Sequence, residues 1–398
     1  MNLVVTTECR FDRMPNGVVW TQTGYAHSFW RRYLTVFDHT RVVARVRKVS
    51  SVPSDWQRAD GDGVSFAAVP HYLGPWQYLR QVQRVQRAAR NAVGASDAVI
   101  LRVGSQIAAC VESQVRRTGH PYGVEVVGDP YDTFAPGAMR HPLRPFFRWL
   151  FARQLQRQCA GACAAAYVTE HALQRRYPAR PGAFAAHYSS VQLPDAAFVT
   201  VPCPPHQGAR TFTLIIVGTL AQLYKAPDVL IDAVAVCVRE GLDLQLVLVG
   251  DGKHRSELEA RVAERGLGDR VCFRGLLPAG EAVRAQLDQA DLFVLASRQE
   301  GLPRAMIEAM ARALPCIGST AGGIPELLPP EDLVPPGDVA ALARKIREVV
   351  SNPERMARMS ARNLEKAKEH SDEVLRERRI TFYQYVRGRT EEWIKSRG

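Results

Sequence analysis

Short β-branched apolar runs alternate with helix-period segments along nearly the whole chain, and the alternation is interrupted once. In the first half, strands are expected at residues 2–7 (NLVVTT), 41–46 (RVVARV), 98–103 (AVILRV), 123–128 (GVEVVG) and 164–169 (AAAYVT), with helices over 77–93 and 145–159. The pattern stops in LPDAAFVTVPCPPHQGAR, residues 193–210, which is proline-rich and polar at its end. It resumes with strands at 212–218, 244–250, 271–275 and 292–297, and helices at 226–240 and 254–266. Strand–helix–strand alternation closes parallel sheets by crossovers, and 398 residues exceed one ordinary core. The expected architecture is therefore α/β, with two doubly wound domains facing across a cleft. Residues 1–195 form the first, 196–210 the linker and 211–375 the second. The tail, 376–398, is a charged helical pattern with aromatics at helical spacing, expected to pack back toward the first domain. Ligands of such sheets bind at the carboxyl ends of the strands.

Composition narrows the function classes. With 46% hydrophobic and 23% charged residues the chain is that of a folded globular protein. The opening MNLVVTTECRF has no basic n-region, so a secretory leader is not expected, and no run of about 18 apolar residues suggests a membrane span. The eight cysteines are scattered apart from Cys159 and Cys163, one helical turn apart, and no His or Cys partners stand at ligand spacing. Reduced cytoplasmic thiols and no metal are the expectation. Residues 1–200 hold 24 Lys and Arg against 13 Asp and Glu, which is +11 of the total +12. A basic half beside a neutral half points to an anionic surface or partner for the first domain.

The second half carries the chemistry-bearing loops. In IIVGTLAQLYKAPDVLIDA, Gly218 ends a strand and Lys225 falls just before a helix with Pro227 in its first turn. A lysine there either pairs with a phosphate that also sees the positive helix end or is a solvated loop cation. LVLVGDGKH repeats the layout with Gly250, without a full dinucleotide fingerprint. In SRQEGLPRAMIEAMARALP, Glu300 and Gly301 occupy the loop between a buried strand and a helix, where Gly301 and Leu302 offer backbone N–H groups to an anion. Glu308 lies inside that helix among Met306, Ile307 and Met310. Either it accepts hydrogen bonds from paired ribose hydroxyls, or it sits on an exposed stripe and pairs with Arg304 or Arg312, each four residues away.

Taken in order, Lys225 in YKAPDVLIDA, the VGDG turn, FRGLLP, the pair Glu300 and Glu308, and ARALPCIGSTAGGIPELL resemble the donor-binding half of the family 4 glycosyltransferases, retaining enzymes of the GT-B fold with two Rossmann-like domains. The match covers roughly residues 212–345. The resemblance implies that Lys225 contacts the donor diphosphate, Glu300 the transferred sugar and Glu308 the nucleotide ribose. Arg274, in CFRGL, lines the base, and Gly218, Thr219 and Gly250 border the donor. Thr219 stands where the family commonly has a basic residue, so half of the usual diphosphate clamp is missing or supplied from elsewhere. Metal independence is implied as well, with a nucleotide-diphosphate sugar as substrate and no cofactor.

The acceptor half matches less. Where the family often has His–Asp or His–Gly after a strand, the chain reads Gly128-Asp129. Asp129 reads either as a catalytic-site carboxylate binding a sugar hydroxyl or as an Asp before Pro130 that caps a turn. Gly17 stands where a family loop passes near the donor phosphate, with Gly24 beyond it, and Arg102 ends a strand. Residues 140–157, RHPLRPFFRWLFARQLQR, interleave Arg140, Arg144, Arg148, Arg153 and Arg157 with Phe146, Phe147, Trp149 and Phe151. That stretch is either a core helix with its aromatics inward or an amphipathic element at an anionic bilayer surface. No nucleic-acid-binding signature is present, and the sequence does not decide an oligomeric state. The resulting expectation is a retaining transferase acting on a saccharide or lipid-linked saccharide acceptor in bacterial surface-polysaccharide assembly, at the cytoplasmic membrane face. The rivals are a sugar-phosphate synthase, a nucleotide-sugar epimerase, and a catalytically silent sugar-nucleotide scaffold.

Overall fold

A computed structural model describes residues 1–134, 142–202 and 211–397. Its first sheet comprises β1 (Asn2–Arg13), β2 (Val19–Thr21), β3 (His39–Lys48), β4 (Gln57–Arg58), β5 (Val64–Pro70), β6 (Ala98–Val103), β7 (Gly123–Val126), β8 (Ala164–Tyr167) and β9 (Phe184–His187). The second comprises β10 (Phe212–Val217), β11 (Leu244–Val249), β12 (Val271–Gly275), β13 (Leu292–Leu295), β14 (Cys316–Ser319) and β15 (Leu333–Val334). The helices of the first half are α1 (His27–Trp30), α2 (Gly74–Asn91), α3 (Gln106–Thr118), α4 (Pro130–Thr133), α5 (Arg144–Gly161) and α6 (Ala172–Arg176). Those of the second are α7 (Pro227–Arg239), α8 (Arg255–Glu264), α9 (Glu281–Leu287), α10 (Arg304–Ala311), α11 (Val339–Val350), α12 (Pro353–Lys368) and α13 (Asp372–Lys395).

Both sheets are parallel where they are long. Across the first, the order is β5-β3-β1-β6-β7-β8-β9, with β2 and β4 as an antiparallel ribbon on the far end of β1. Across the second it is β12-β11-β10-β13-β14-β15. This is the GT-B architecture. Consecutive residues of β1, Leu3, Val4 and Val5, are all fully buried, as a parallel strand covered on both faces requires. One face packs Leu3, Val5 and Ile100 under Phe382, Tyr383 and Val386 of α13, so the C-terminal helix crosses back onto the first domain. The other face packs Val4, Val99, Leu101 and Val124 under α2, α3 and α5.

Glu125, on β7, ties the α13 face together. Its carboxylate accepts hydrogen bonds from Tyr33 and Tyr188 at 2.9 Å each and is ion-paired with Arg102. Arg102 therefore ends its strand in a buried network. Strands β2, β4, β5, β9, β14 and β15, and helices including α3, α9, α11 and α12, are additional to the expected pattern. The four residues of β9, FAAH, carry no β-branched signal. β1 is longer than expected because a bulge between Thr6 and Arg10 lets it continue to Arg13 alongside β3. Part of the linker and Arg140 lie outside the described residues. Among the described residues, no helix is long and apolar enough to cross a membrane.

Candidate active site

The loop from β13 to α10 and the loop from β10 to α7 meet at the carboxyl edge of the second sheet. Lys225 sits at the end of a short 3-10 turn, and Ala226, in the left-handed region at φ 55°, redirects the chain into α7. The Lys225 ammonium donates to Glu300 Oε1 at 2.6 Å, and Ser297 Oγ donates to the same oxygen at 2.8 Å. The lysine stem runs across Gly218, where an added Cβ would stand 3.3 Å from it. Arg298 locks the two loops together. Its guanidinium donates to Leu223 O at 2.7 Å and to both oxygens of Asp228 at 2.9 and 2.7 Å.

Gly322 lets the next turn press on Glu300. Its φ is +55°, and a Cβ there would lie 1.9 Å from Glu300 O. At the start of α10, the N–H groups of Gly301, Leu302 and Arg304 have no acceptor among the described residues, and the first turn holds no acid. They form a donor cluster at a positive helix end, with a cation beside it.

Glu308 is half-buried on α10, and its carboxylate has no hydrogen bond or ion pair among the described residues. Arg312 is engaged by Asp288 through two bonds of 2.6 and 2.9 Å. Arg304 makes no ion pair with Glu308 and acts on it only through space. Burial pushes the Glu308 carboxyl above its ordinary range, with Arg304 and Arg284 opposing. A carboxylate held this way lacks hydrogen-bond donors, and paired hydroxyls would supply them.

The VGDG turn packs against the β10 turn: a Cβ at Gly250 would fall 1.9 Å from Gly218 O. Thr219 is exposed, and its hydroxyl accepts the N–H of Ala221 at 3.1 Å. Arg274 is exposed on β12. Across the cleft, Asp129 caps α4 by accepting the Tyr131 N–H at 2.8 Å, and its carboxylate is also held by Arg176 and by Tyr177 OH. Gly17 lies in the β1–β2 hairpin at φ 86°.

The structure adds Glu326, which the sequence reading passes over. From the GGIPE turn of the second domain, it accepts the N–H groups of Glu170, His171 and Ala172 at 2.5, 3.0 and 2.7 Å. That carboxylate caps α6 of the first domain and clamps the two halves beside the site. A Cβ on Gly301 would also approach Val127 O, at the end of β7, to 3.3 Å. A lone acid closing an otherwise apolar, glycine-rich turn is the sequence signal for such a clamp.

Two apposed parallel sheets, with a lysine, an acid and open N–H groups at one helix start, define a GT-B protein whose cleft presents N–H donors beside a cation. Residues 211–352 match the family described as Glycosyl transferases group 1. The chain is 26% identical to Protein CapJ of Staphylococcus aureus over 82% of its length and 81% of that protein. It is 35% identical to the amylovoran biosynthesis glycosyltransferase AmsK of Erwinia amylovora, over 30% of this chain and 31% of that one. The crystal structure of Anabaena HepE in complex with UDP and glucose aligns over the whole of both chains with a TM-score of 0.65 and 17% identity.

Proposed function

We propose that this glycosyltransferase moves a sugar, with retention of its anomeric configuration, from a nucleotide-diphosphate sugar to a hydroxyl of a lipid-linked saccharide during polysaccharide assembly. One observation carries the reading. A single loop–helix junction brings together Lys225, Glu300, the open N–H groups of Gly301, Leu302 and Arg304, and the unpartnered Glu308.

In this scheme Glu308 holds the ribose, and Lys225 with the α10 start holds the diphosphate. Donor binding draws Lys225 from Glu300 toward phosphate and frees Glu300 for the sugar hydroxyls. The acceptor oxygen bonds to the anomeric carbon as the bond from that carbon to the phosphate oxygen breaks. The acceptor proton passes to the departing diphosphate on the same face. The protein's part is to stabilise the charge on the leaving group, where one well-placed donor is typically worth a factor of about 10²–10³. Asp129, fixed by Arg176 and Tyr177, shapes the cleft floor.

The polysaccharide setting is supported by the likeness to AmsK. A membrane-surface setting is supported by α5, whose Phe146 and Trp149 are 52% and 56% exposed while Ala152, Leu155 and Cys159 face the core. Its four arginines stand with no acid on the same helix. A silent scaffold is the second reading, favoured by the absence of a cation at Thr219.

Thermal stabilisation by UDP-, GDP-, ADP- and dTDP-linked sugars, with product anomers read by NMR, tests the proposal. A shift with one nucleotide and a retained product is expected. No shift with any of them sinks the enzyme reading.

A further inference from the structure

On the same carboxyl edge of the first sheet lies a cavity of about 430 Å³, built from the bulged end of β1, the end of β3, the β5–α2 turn and the β2–β4 region. Its walls carry Arg10, Arg45, Arg47 and His71 beside the acids Glu8 and Asp12, with Trp56 and Leu73 among the other lining residues. The acids present are already engaged. Asp12 takes both branches of the Arg47 guanidinium at 3.0 and 2.6 Å. Glu8 accepts from Tyr72 OH at 2.5 Å and Ser105 Oγ at 2.7 Å. Arg45 is anchored to Tyr72 O at 3.0 Å and to Glu8 O at 3.2 Å, with the Glu8 carboxylate 3.9 Å away, whereas the Arg10 side chain is exposed with no hydrogen bond or ion pair among the described residues. Burial first, then Arg47, Arg45 and Arg10, hold the His71 imidazole below its ordinary range, with Asp12 opposing.

From the rim an apolar stripe leads away. Leu73, Trp76 and Leu79 follow one another at three-residue spacing into α2 and are 49%, 78% and 58% exposed. Arg80, Arg84 and Arg87 stand exposed along the same helix, which holds no acid. β1 lies two strands from β7, the strand whose end meets Gly301. At the usual strand spacing that is about 10 Å sideways, the span of a sugar or two. A soluble neutral saccharide would not need the arginines.

We infer that this cavity is the acceptor's anchoring subsite: Arg10, Arg45 and Arg47 receive the phosphate or diphosphate of a lipid-linked acceptor, and Leu73, Trp76 and Leu79 receive the start of its hydrocarbon chain. The inference rests on the transfer reading for its purpose but not for its test. Farnesyl diphosphate, inorganic pyrophosphate and dodecyl maltoside are titrated into the full chain by calorimetry, with and without UDP.

Farnesyl diphosphate binds in the presence of saturating UDP. Arg10→Gln, which disturbs no internal contact, weakens it about tenfold, the loss of one charge-assisted hydrogen bond. Trp76→Ser with Leu79→Ser weakens farnesyl diphosphate about tenfold and leaves pyrophosphate unchanged. Full competition by UDP would place the lipid phosphate at Lys225 and overturn the assignment. Pyrophosphate binding as tightly as farnesyl diphosphate overturns the lipid part in favour of an acidic sugar, and indifference to Arg10→Gln overturns the site. Farnesyl diphosphate binding that survives when no nucleotide sugar binds supports the subsite and removes only the transfer reading.

Discussion

Replacing Glu308 by Gln separates a functional carboxylate from a structural one, because the two roles move stability and binding in different directions. In the free protein the half-buried Glu308 carboxylate has no donor among the described residues, and burial raises its pKa. The sign of that shift means that Glu308 favours the folded state when protonated. Its contribution is present below the unfolded pKa and lost as pH rises through the raised folded value. At neutral pH an isosteric neutral amide therefore stabilises the free protein, by about 1 kcal/mol for one partly hydrated charge. That raises Tm by about 2–4 °C in a domain of this size.

Binding moves the other way. Two ribose hydroxyls donating to a carboxylate contribute about 1.5–3 kcal/mol each, and the amide keeps roughly half of that. The variant then loses about 1.5–3 kcal/mol, a nucleotide roughly ten- to 150-fold weaker. Wild-type nucleotide affinity also falls at acid pH as Glu308 takes a proton, and the Gln variant lacks that dependence. Calorimetric Tm and nucleotide titration across pH provide the readouts. A free-protein Tm that is unchanged or lower, together with unchanged affinity, would refute the reasoning.

Lys225→Ala removes the cation from the diphosphate and leaves Glu300 with the Ser297 hydroxyl alone, so turnover is expected to fall about 10²–10³-fold in steady-state assays. Wild-type turnover in that variant would transfer the role elsewhere. Glu326→Ala strips the cap from three N–H groups of the first domain. A loss of about 1–2 kcal/mol in urea unfolding and a larger radius in solution scattering are expected, whereas an unchanged radius counts against a clamp. His370 is buried, and burial with the nearby Lys366 pushes its pKa down to about 4. Because the unfolded chain protonates first, stability is lost as pH falls from about 6.5 to 4, by at most about 3 kcal/mol. His370→Gln flattens that part of the urea-stability profile, and an equally steep variant profile rules the residue out.

The donor half was legible because its chemistry is written on contiguous chain. One strand–loop–helix unit carries Glu300, Gly301, Leu302 and Glu308, and the strand beside it delivers Lys225 through its own turn. The alternation of β-branched runs and helical periods exposed both sheets for the same reason, since each element is a local pattern. Asp129 was ambiguous because its partners, Arg176 and Tyr177, lie over forty residues away, and only the fold brings them to its carboxylate. Glu326 is visible as the lone acid of its glycine-rich turn, but its partners are backbone N–H groups 154 to 156 residues away, which no local pattern names.

The same distinction accounts for the charge asymmetry. The +11 of the first 200 residues is not spread over that domain. The helices α2 and α5 carry four arginines each and no acid, and both lie on the sheet face opposite α13. Since α13 covers the other face, the unbalanced arginines collect on one side. Their helix N-terminal ends, where Trp76, Leu79, Phe146 and Trp149 are exposed, lie toward the carboxyl edge of the sheet that faces the second domain. Charge alone would suit any polyanion, and exposed aromatics alone would suit any apolar partner. Their coincidence on one edge is what supports the proposal of an acceptor with an anionic head and a hydrocarbon chain that would cover the exposed indole.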